Sequence, residues 1–265
     1  MNSYLTKIFE RRKWVYVWDL IYSLVSRDLR LLYTRSTLGF GWALALPLLQ
    51  LLIYTLIFRQ VLTTSIERYP AYVFIGVLVF GWFQSTINEA GGLITGSKAL
   101  VTQPGFPLSL LPHVKASVRL FHFLISLPVL FGMLIYFGIK PSMHWFSIPV
   151  LILVQYLLIV GISYPIASIN VVFRDMQHII SVTLQLSMFL TPVFYSVHQI
   201  PDGIRPYFYL NPMVGIIEAW RGVLLESKWP DQRMIFIWLT IGIFLSVVGQ
   251  KIFVRQSHRF IEEIS

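Results

Sequence analysis

Residues 147–170 read SIPVLILVQYLLIVGISYPIASIN, a stretch without a single Asp, Glu, Lys or Arg. A helix that spans a bilayer needs about 20 mostly apolar residues, and this run supplies them. Working outward, comparable runs occupy roughly 41–60, 71–90, 118–138, 178–197 and 234–254. The pattern predicts an all-α membrane protein with six transmembrane helices in a single domain, 1–265.

Composition agrees. The chain is 56% hydrophobic and only 12% charged, against about 25% charged in an ordinary soluble domain. A soluble fold of this size could not cover so much apolar surface with so few charges. There is no cysteine, which excludes disulfides, thiol nucleophiles and thiolate metal sites. The net charge of +9 does not call for nucleic acid, because Lys and Arg of a membrane chain collect on its cytoplasmic side. The first long apolar run begins near Gly41, behind Arg11, Arg12, Lys13, Arg27, Arg30 and Arg35. That is too late for a signal peptide, so the first span is expected to stay in the mature protein. With Arg119 counted beside the loop before it, 14 of the 21 Lys and Arg fall on the side of the termini and 7 on the other. Both termini are therefore expected in the cytoplasm.

Two segments outside the spans keep apolar residues. In 14–34, WVYVWDLIYSLVSRDLRLLYT, polar residues recur at three- and four-residue steps opposite Trp14, Val17, Trp18, Ile21, Leu24, Val25 and Leu32. That pattern predicts an amphipathic helix lying in the cytoplasmic interface. A seventh span would have to bury the charges of Arg27, Asp28 and Arg30, each costing about 2.5–3.5 kcal/mol at mid-bilayer. In loop 198–233, Asn211-Pro212 reads as an N-cap followed by proline at the first helical position. Behind it Met213, Ile216, Ile217, Trp220, Val223 and Leu224 keep helical spacing, with Glu218 and Arg221 on another face. The expectation is a short helix dipping into the outer leaflet or lying along it.

Enzymatic chemistry is sparse. Residues 91–98, GGLITGSK, approach a phosphate-binding loop, but Ser97 and Lys98 stand in reverse order. Such a loop also follows a strand, and here an apolar helix precedes it. Gly91, Gly92 and Gly96 are read instead as letting the chain bend as it leaves the membrane. The six His are scattered without ligand spacing. No H-E-x-x-H or paired-carboxylate site is present, so no metal or cofactor is expected on this chain. Glu89, near the inner end of the second span, is either functional or an interfacial residue facing water. Loop 96–115, GSKALVTQPGFPLSLLPHVK, carries Pro104, Pro107 and Pro112 yet keeps Leu100, Val101, Phe106 and Leu110. It would dock on another surface or pack on the protein's own interfacial helix.

Four stretches resemble the permease subunits of ABC transporters that export polysaccharides of the O-antigen, capsule and teichoic-acid type. They are RDLRLLYTRSTLGFGWALALPLLQLLIYTLIF (27–58), FPLSLLPHVKASVRLFHFLIS (106–126), NVVFRDMQHIISVTLQLSMFLTPVFYS (170–196) and LNPMVGIIEAWRGVLL (210–225). The resemblance implies a homodimer in the bacterial cytoplasmic membrane. Two separate ATP-binding subunits would hold the ATP and magnesium, and the substrate would be a polyprenyl-diphosphate-linked glycan. Segment 96–108 would be the coupling segment, with Lys98, Leu100, Val101 and Phe106 meeting the ATPase. Segment 202–226 would form outer gate helices containing Asn211, Pro212, Glu218, Trp220 and Arg221. Tyr54, Trp82, Phe83, Phe189, Phe194 and Tyr195 would line the channel, since aromatic rings stack on sugar faces. Arg27, Arg30, Arg35 and Arg174 would meet the lipid diphosphate, for which charge-assisted hydrogen bonds suit arginine. The family commonly has basic residues before the F-P pair and arginine after it, where this chain reads Gln103-Pro104-Gly105-Phe106-Pro107-Leu108. That departure bears on the usual charge contacts to an ATPase and on which ATPase partner fits. Other readings are a permease for drugs or small lipids, or, in another class, a membrane glycosyltransferase, for which no catalytic carboxylate set is found.

Overall fold

A computed structural model describes residues 2–33, 41–60, 66–173 and 175–264, with no strand among them. The helices are α1 (Asn2–Tyr33), α2 (Gly41–Gln60), α3 (Tyr69–Gly91), one-turn α4 (Lys98–Val101), α5 (Leu111–Tyr136), α6 (Ile148–Val172), α7 (Met176–Leu190), one-turn α8 (Arg205–Phe208), α9 (Pro212–Leu224) and α10 (Gln232–Ile264). Among the described residues, four helical stretches are long and apolar enough to cross a membrane: Tyr69–Gly91, Leu108–Tyr136, Met143–Val172 and Gln232–Phe260. The apolar α7 is shorter, at 15 residues. The predicted run 41–60 coincides with α2.

Other boundaries differ from the hydropathy reading for local reasons. α5 opens at Leu111, ahead of 118, because Pro112 in its first turn gives up no intrahelical hydrogen bond. α7 stops at Leu190, short of 197. Pro192 has no N–H to give the helix and pushes Thr191 into an extended conformation (φ −95°, ψ 138°). α10 continues past 254 to Ile264, since no glycine or proline follows Gly249. α1 begins at Asn2, well before 14.

α3 lies at the centre. Val73, Phe74, Ile75, Val79 and Phe80 are all but fully buried, and the helix packs on α5, α6, α7 and α9. The amide of Gln155 on α6 donates to the Val79 carbonyl at 2.8 Å. α6 and α10 run parallel in close contact. A Cβ on Gly161 would lie 2.7 Å from Leu245 Cβ, one on Gly242 3.1 Å from Leu157 Cβ, and one on Gly249 2.9 Å from Tyr164 Cβ. With no hydrophobic drive between helices in lipid, such close backbone packing holds them together. Gly161→Val is expected to cost about 3 kcal/mol through overpacking. Gly132→Val, where nothing lies within 4 Å of the added Cβ, serves as the neutral control. Both are read by thermal survival of the monodisperse protein in detergent.

Candidate functional site

At the Tyr69 end of α3, the break after α7 is held by one buried cation. The interrupted helix leaves carbonyls without donors, and Arg221 of α9, 2% exposed, supplies them. Its Nη1 donates to Pro192 O at 2.6 Å and its Nη2 to Val193 O at 2.7 Å. Its Nε donates to Tyr72 O at 3.3 Å, and its guanidinium carbon stands 3.4 Å from the Tyr72 ring centroid. Glu218 adds an ion pair at 3.3 Å. Tyr69 OH donates to Phe194 O at 2.6 Å and Tyr72 OH to Tyr195 O at 3.1 Å.

The N-cap expectation for α9 holds: Asn211 accepts from Met213 N at 3.0 Å, and Pro212 opens the helix. Asn211 also donates to Thr191 Oγ1 at 2.9 Å. Met213, Ile216, Ile217, Trp220, Val223 and Leu224 are all buried. Arg221 shares its face with Glu218, to which it is paired, and it is buried because the carbonyls it satisfies are inside.

The predicted aromatic residues fall into two groups. Trp82, 3% exposed, stacks on Phe123 at 5.1 Å, and Phe123 meets Trp220 edge-on at 5.5 Å. Phe83 is half-buried and tilts against Phe80 at 6.0 Å. Phe189, in the last turn of α7, gathers with Phe194 and Tyr195 beyond it, with the two Phe rings 6.3 Å apart and Tyr195 OH donating to Phe189 O at 3.1 Å. The Tyr54 side chain lies outside the described residues. Beside Trp82 a crevice of about 530 Å³ opens between α2, α3, α5 and α7. Its walls include Trp42, Gln50, Gln84, Ser85 and Arg119, and the buried Trp82 indole N–H finds no acceptor among the described residues. Aromatic rings beside the amides of Gln50 and Gln84 form a surface that can hold hydroxylated rings.

At the Glu89 end, ion pairs join three elements. Asp28 of α1 accepts from Lys115 of α5 at 2.8 Å and from its neighbour Arg27 at 2.8 Å. Glu89 of α3 pairs with Arg119 of α5. Burial raises the Asp28 carboxyl, but hydrogen bonds and charge from Lys115 and Arg27 outweigh it, holding its pKa below the ordinary value. Arg27, Asp28, Glu89, Ser97, Leu100 and Lys115 share a second cavity of about 380 Å³. Its cations are matched by its carboxylates, so an anionic ligand there would compete with Asp28 for Arg27. Arg30 is exposed on α1. Arg35 and Arg174 lie outside the described residues.

Segment 96–108, expected to couple to an ATPase, holds the one-turn α4. Lys98 is exposed, Leu100 and Phe106 are half-buried, and Val101 is 2% exposed against the core. The outward surface of the turn is therefore Lys98, Ala99 and Thr102 to Gly105. Tyr164 OH of α6 donates to Ser109 O at 2.8 Å and ties the proline-rich turn to the core. α3 ends at Gly91, and Gly92 follows with an ordinary φ of −88°. A Cβ on Gly92 would lie 2.9 Å from Gln177 Oε1, the movable end of a side chain, and one on Gly91 would make only ordinary contact with Gln177 at 3.5 Å.

The ABC-2 type transporter model matches residues 19–225. The chain belongs to the ABC-2 type transporter family. This ABC-2 chain is 32% identical over 247 residues to the O-antigen export system permease protein RfbA of Myxococcus xanthus, covering 92% of this chain and 95% of the relative. It is 28% identical over 248 residues to RfbA of Klebsiella pneumoniae, covering 93% and 95%. To the polysialic acid transport protein KpsM of Escherichia coli it is 23% identical over 210 residues, covering 77% and 81%. Its apolar helices and these transporter relatives make it a multi-pass membrane protein. Among the described residues of the ABC-2 chain no group of three His, Asp or Glu is placed to hold a metal. Sequence reading missed Tyr69, Tyr72 and Gly76 around Arg221, and the Asp28–Lys115 pair. The available signals were a lone arginine in an apolar helix, and opposite charges near the ends of neighbouring helices.

Proposed function

We propose that this chain is the membrane-spanning subunit of an ATP-driven exporter that moves polyprenyl-diphosphate-linked polysaccharide across the bacterial cytoplasmic membrane. The observation that carries the reading is the crevice beside Trp82, which aromatic rings and the amides of Gln50 and Gln84 line together. The relatives' names favour glycans over drugs or small lipids, and over glycosyl transfer. In this reading α2, α3, α5, α6, α7 and α10 are six spans, with α1 in the interface and both termini cytoplasmic. Exposed His178, Thr183 and Gln185 on α7 and Gln50 on α2 are polar groups ill suited to lipid. They support a homodimer enclosing a polar passage between protomers. α8 and α9 form the outer gate, and the surface of the α4 turn docks two ATP-binding subunits that carry the ATP and magnesium. Arg27, Arg30, Arg35 and Arg174 are proposed contacts for the lipid diphosphate.

The test uses purified chain in vesicles. Alone it is expected to hydrolyse no ATP. With a partner ATP-binding subunit added, hydrolysis appears and lipid-linked glycan is exported. Trp82→Ala lowers export while ATP turnover persists. Hydrolysis by the chain alone, or export indifferent to the partner, overturns the reading.

A further inference from the structure

A third cavity, of about 530 Å³, lies between the C-terminal ends of α6 and α10 and shares no lining residue with the crevice or with the α4 turn. Ile169, Val172 and Phe173 line one side and Ile252 and Phe260 the other. Gln256, Arg259 and Glu263 of α10 form its polar rim. About 20 residues of helix rise about 30 Å, roughly the hydrocarbon thickness. A helix entering the bilayer near Ile148 thus reaches the opposite boundary near Ser168, so this cavity stands at headgroup depth.

Three polar groups there are unused. Arg259 and Glu263 are exposed, and among the described residues neither is in an ion pair. Their order, cation before carboxylate at i,i+4, is the weaker one for pairing within a helix. Ser168 lines the cavity and is 8% exposed, yet its hydroxyl has no partner. Ser126, Ser163, Ser181 and Ser187 by contrast each donate to a carbonyl of their own helix.

An apolar cleft at headgroup depth, rimmed by one cation and one carboxylate, complements a lipid that carries both charges. We propose that this cleft binds a zwitterionic phospholipid of the phosphatidylethanolamine type, with its phosphate on Arg259, its ammonium on Glu263 and an acyl chain along Ile169, Val172 and Ile252. A primary ammonium can donate hydrogen bonds to a carboxylate. The trimethylammonium of phosphatidylcholine cannot, and phosphatidylglycerol has no cation to offer. The inference is independent of the transport reading and of which leaflet holds these helix ends.

The test places p-benzoylphenylalanine at Phe173, 65% exposed at the cleft, in the full chain. The protein is put into nanodiscs of equimolar phosphatidylethanolamine, phosphatidylglycerol and phosphatidylcholine, and captured lipid is identified by mass. Phosphatidylethanolamine is expected about three-fold or more above either competitor. Arg259→Gln should lower phosphatidylethanolamine capture and reduce its lead over phosphatidylcholine, with phosphatidylglycerol captured least because Glu263 alone repels its charge. Glu263→Gln should reduce the preference and raise phosphatidylglycerol. Equal capture by the parent, or a preference that survives both substitutions, overturns the proposal.

Discussion

Arg221→Ala is expected to cost about 3–5 kcal/mol, from two hydrogen bonds of a charged donor at about 1.5–3 kcal/mol each. The loss should appear as collapse of the monodisperse peak after mild heating, in the chain alone and without transport. The Pro192 and Val193 carbonyls that accept at 2.6 and 2.7 Å would be left without donors in a buried place. Arg221→Lys should recover little, because an ammonium offers no planar fork to reach two adjacent carbonyls and stacks poorly on Tyr72. Gly76→Ala is a second route to the same loss. Its Cβ would lie 2.8 Å from Arg221 Nη2 and 3.1 Å from Val193 O, forcing the guanidinium off its acceptors for about 1–3 kcal/mol. The two substitutions should not add, since both break one arrangement. Arg221→Ala as stable as the parent, or strictly additive losses, would show that the break after α7 is held by something else.

That anchor also marks where sequence reading stops. The apolar stripe of α9 and its Asn211-Pro212 start are local features, set by helical spacing and by the chemistry of two neighbouring residues. Both were legible. The burial of Arg221 was not, because its acceptors lie on a segment 28 and 29 residues away whose carbonyls are freed only by the halt at Pro192. A hydropathy window runs through that proline, which is why 178–197 overshoots α7. Trp82 and Phe83 could be named from sequence as aromatic residues of one span. Their separation from Phe189, Phe194 and Tyr195 depends on which helices meet, and hydrophobicity does not encode that.

Charge exchange between α1 and α5 should have the second large effect, now on export. If the α4 turn receives the ATPase stroke, Asp28 and Lys115 are the link that makes α1 and α5 move together. The pair bridges residues 87 apart in sequence, with side chains 11% and 31% exposed. Asp28→Lys replaces an attraction by repulsion from both Lys115 and Arg27. Unit charges about 4 Å apart at an effective dielectric of about 20 interact by about 4 kcal/mol, and partial exposure reduces that. A loss of about 1.4 kcal/mol in the transport step is about tenfold in rate. Asp28→Lys is therefore expected to cut export to about a tenth with membrane insertion unchanged, as read by glycan at the cell surface and protein in the membrane fraction. Adding Lys115→Asp should restore at least about half, since the pair is rebuilt with its charges exchanged. Because the folded Asp28 pKa is depressed, the link is complete above the ordinary carboxylate value and is lost only as pH falls through the depressed one. Export near neutral pH should thus be insensitive to this carboxylate's titration. A double variant as defective as the single one would mean that the position, not the pair, carries the effect, and α1 would then have no part in coupling through Lys115.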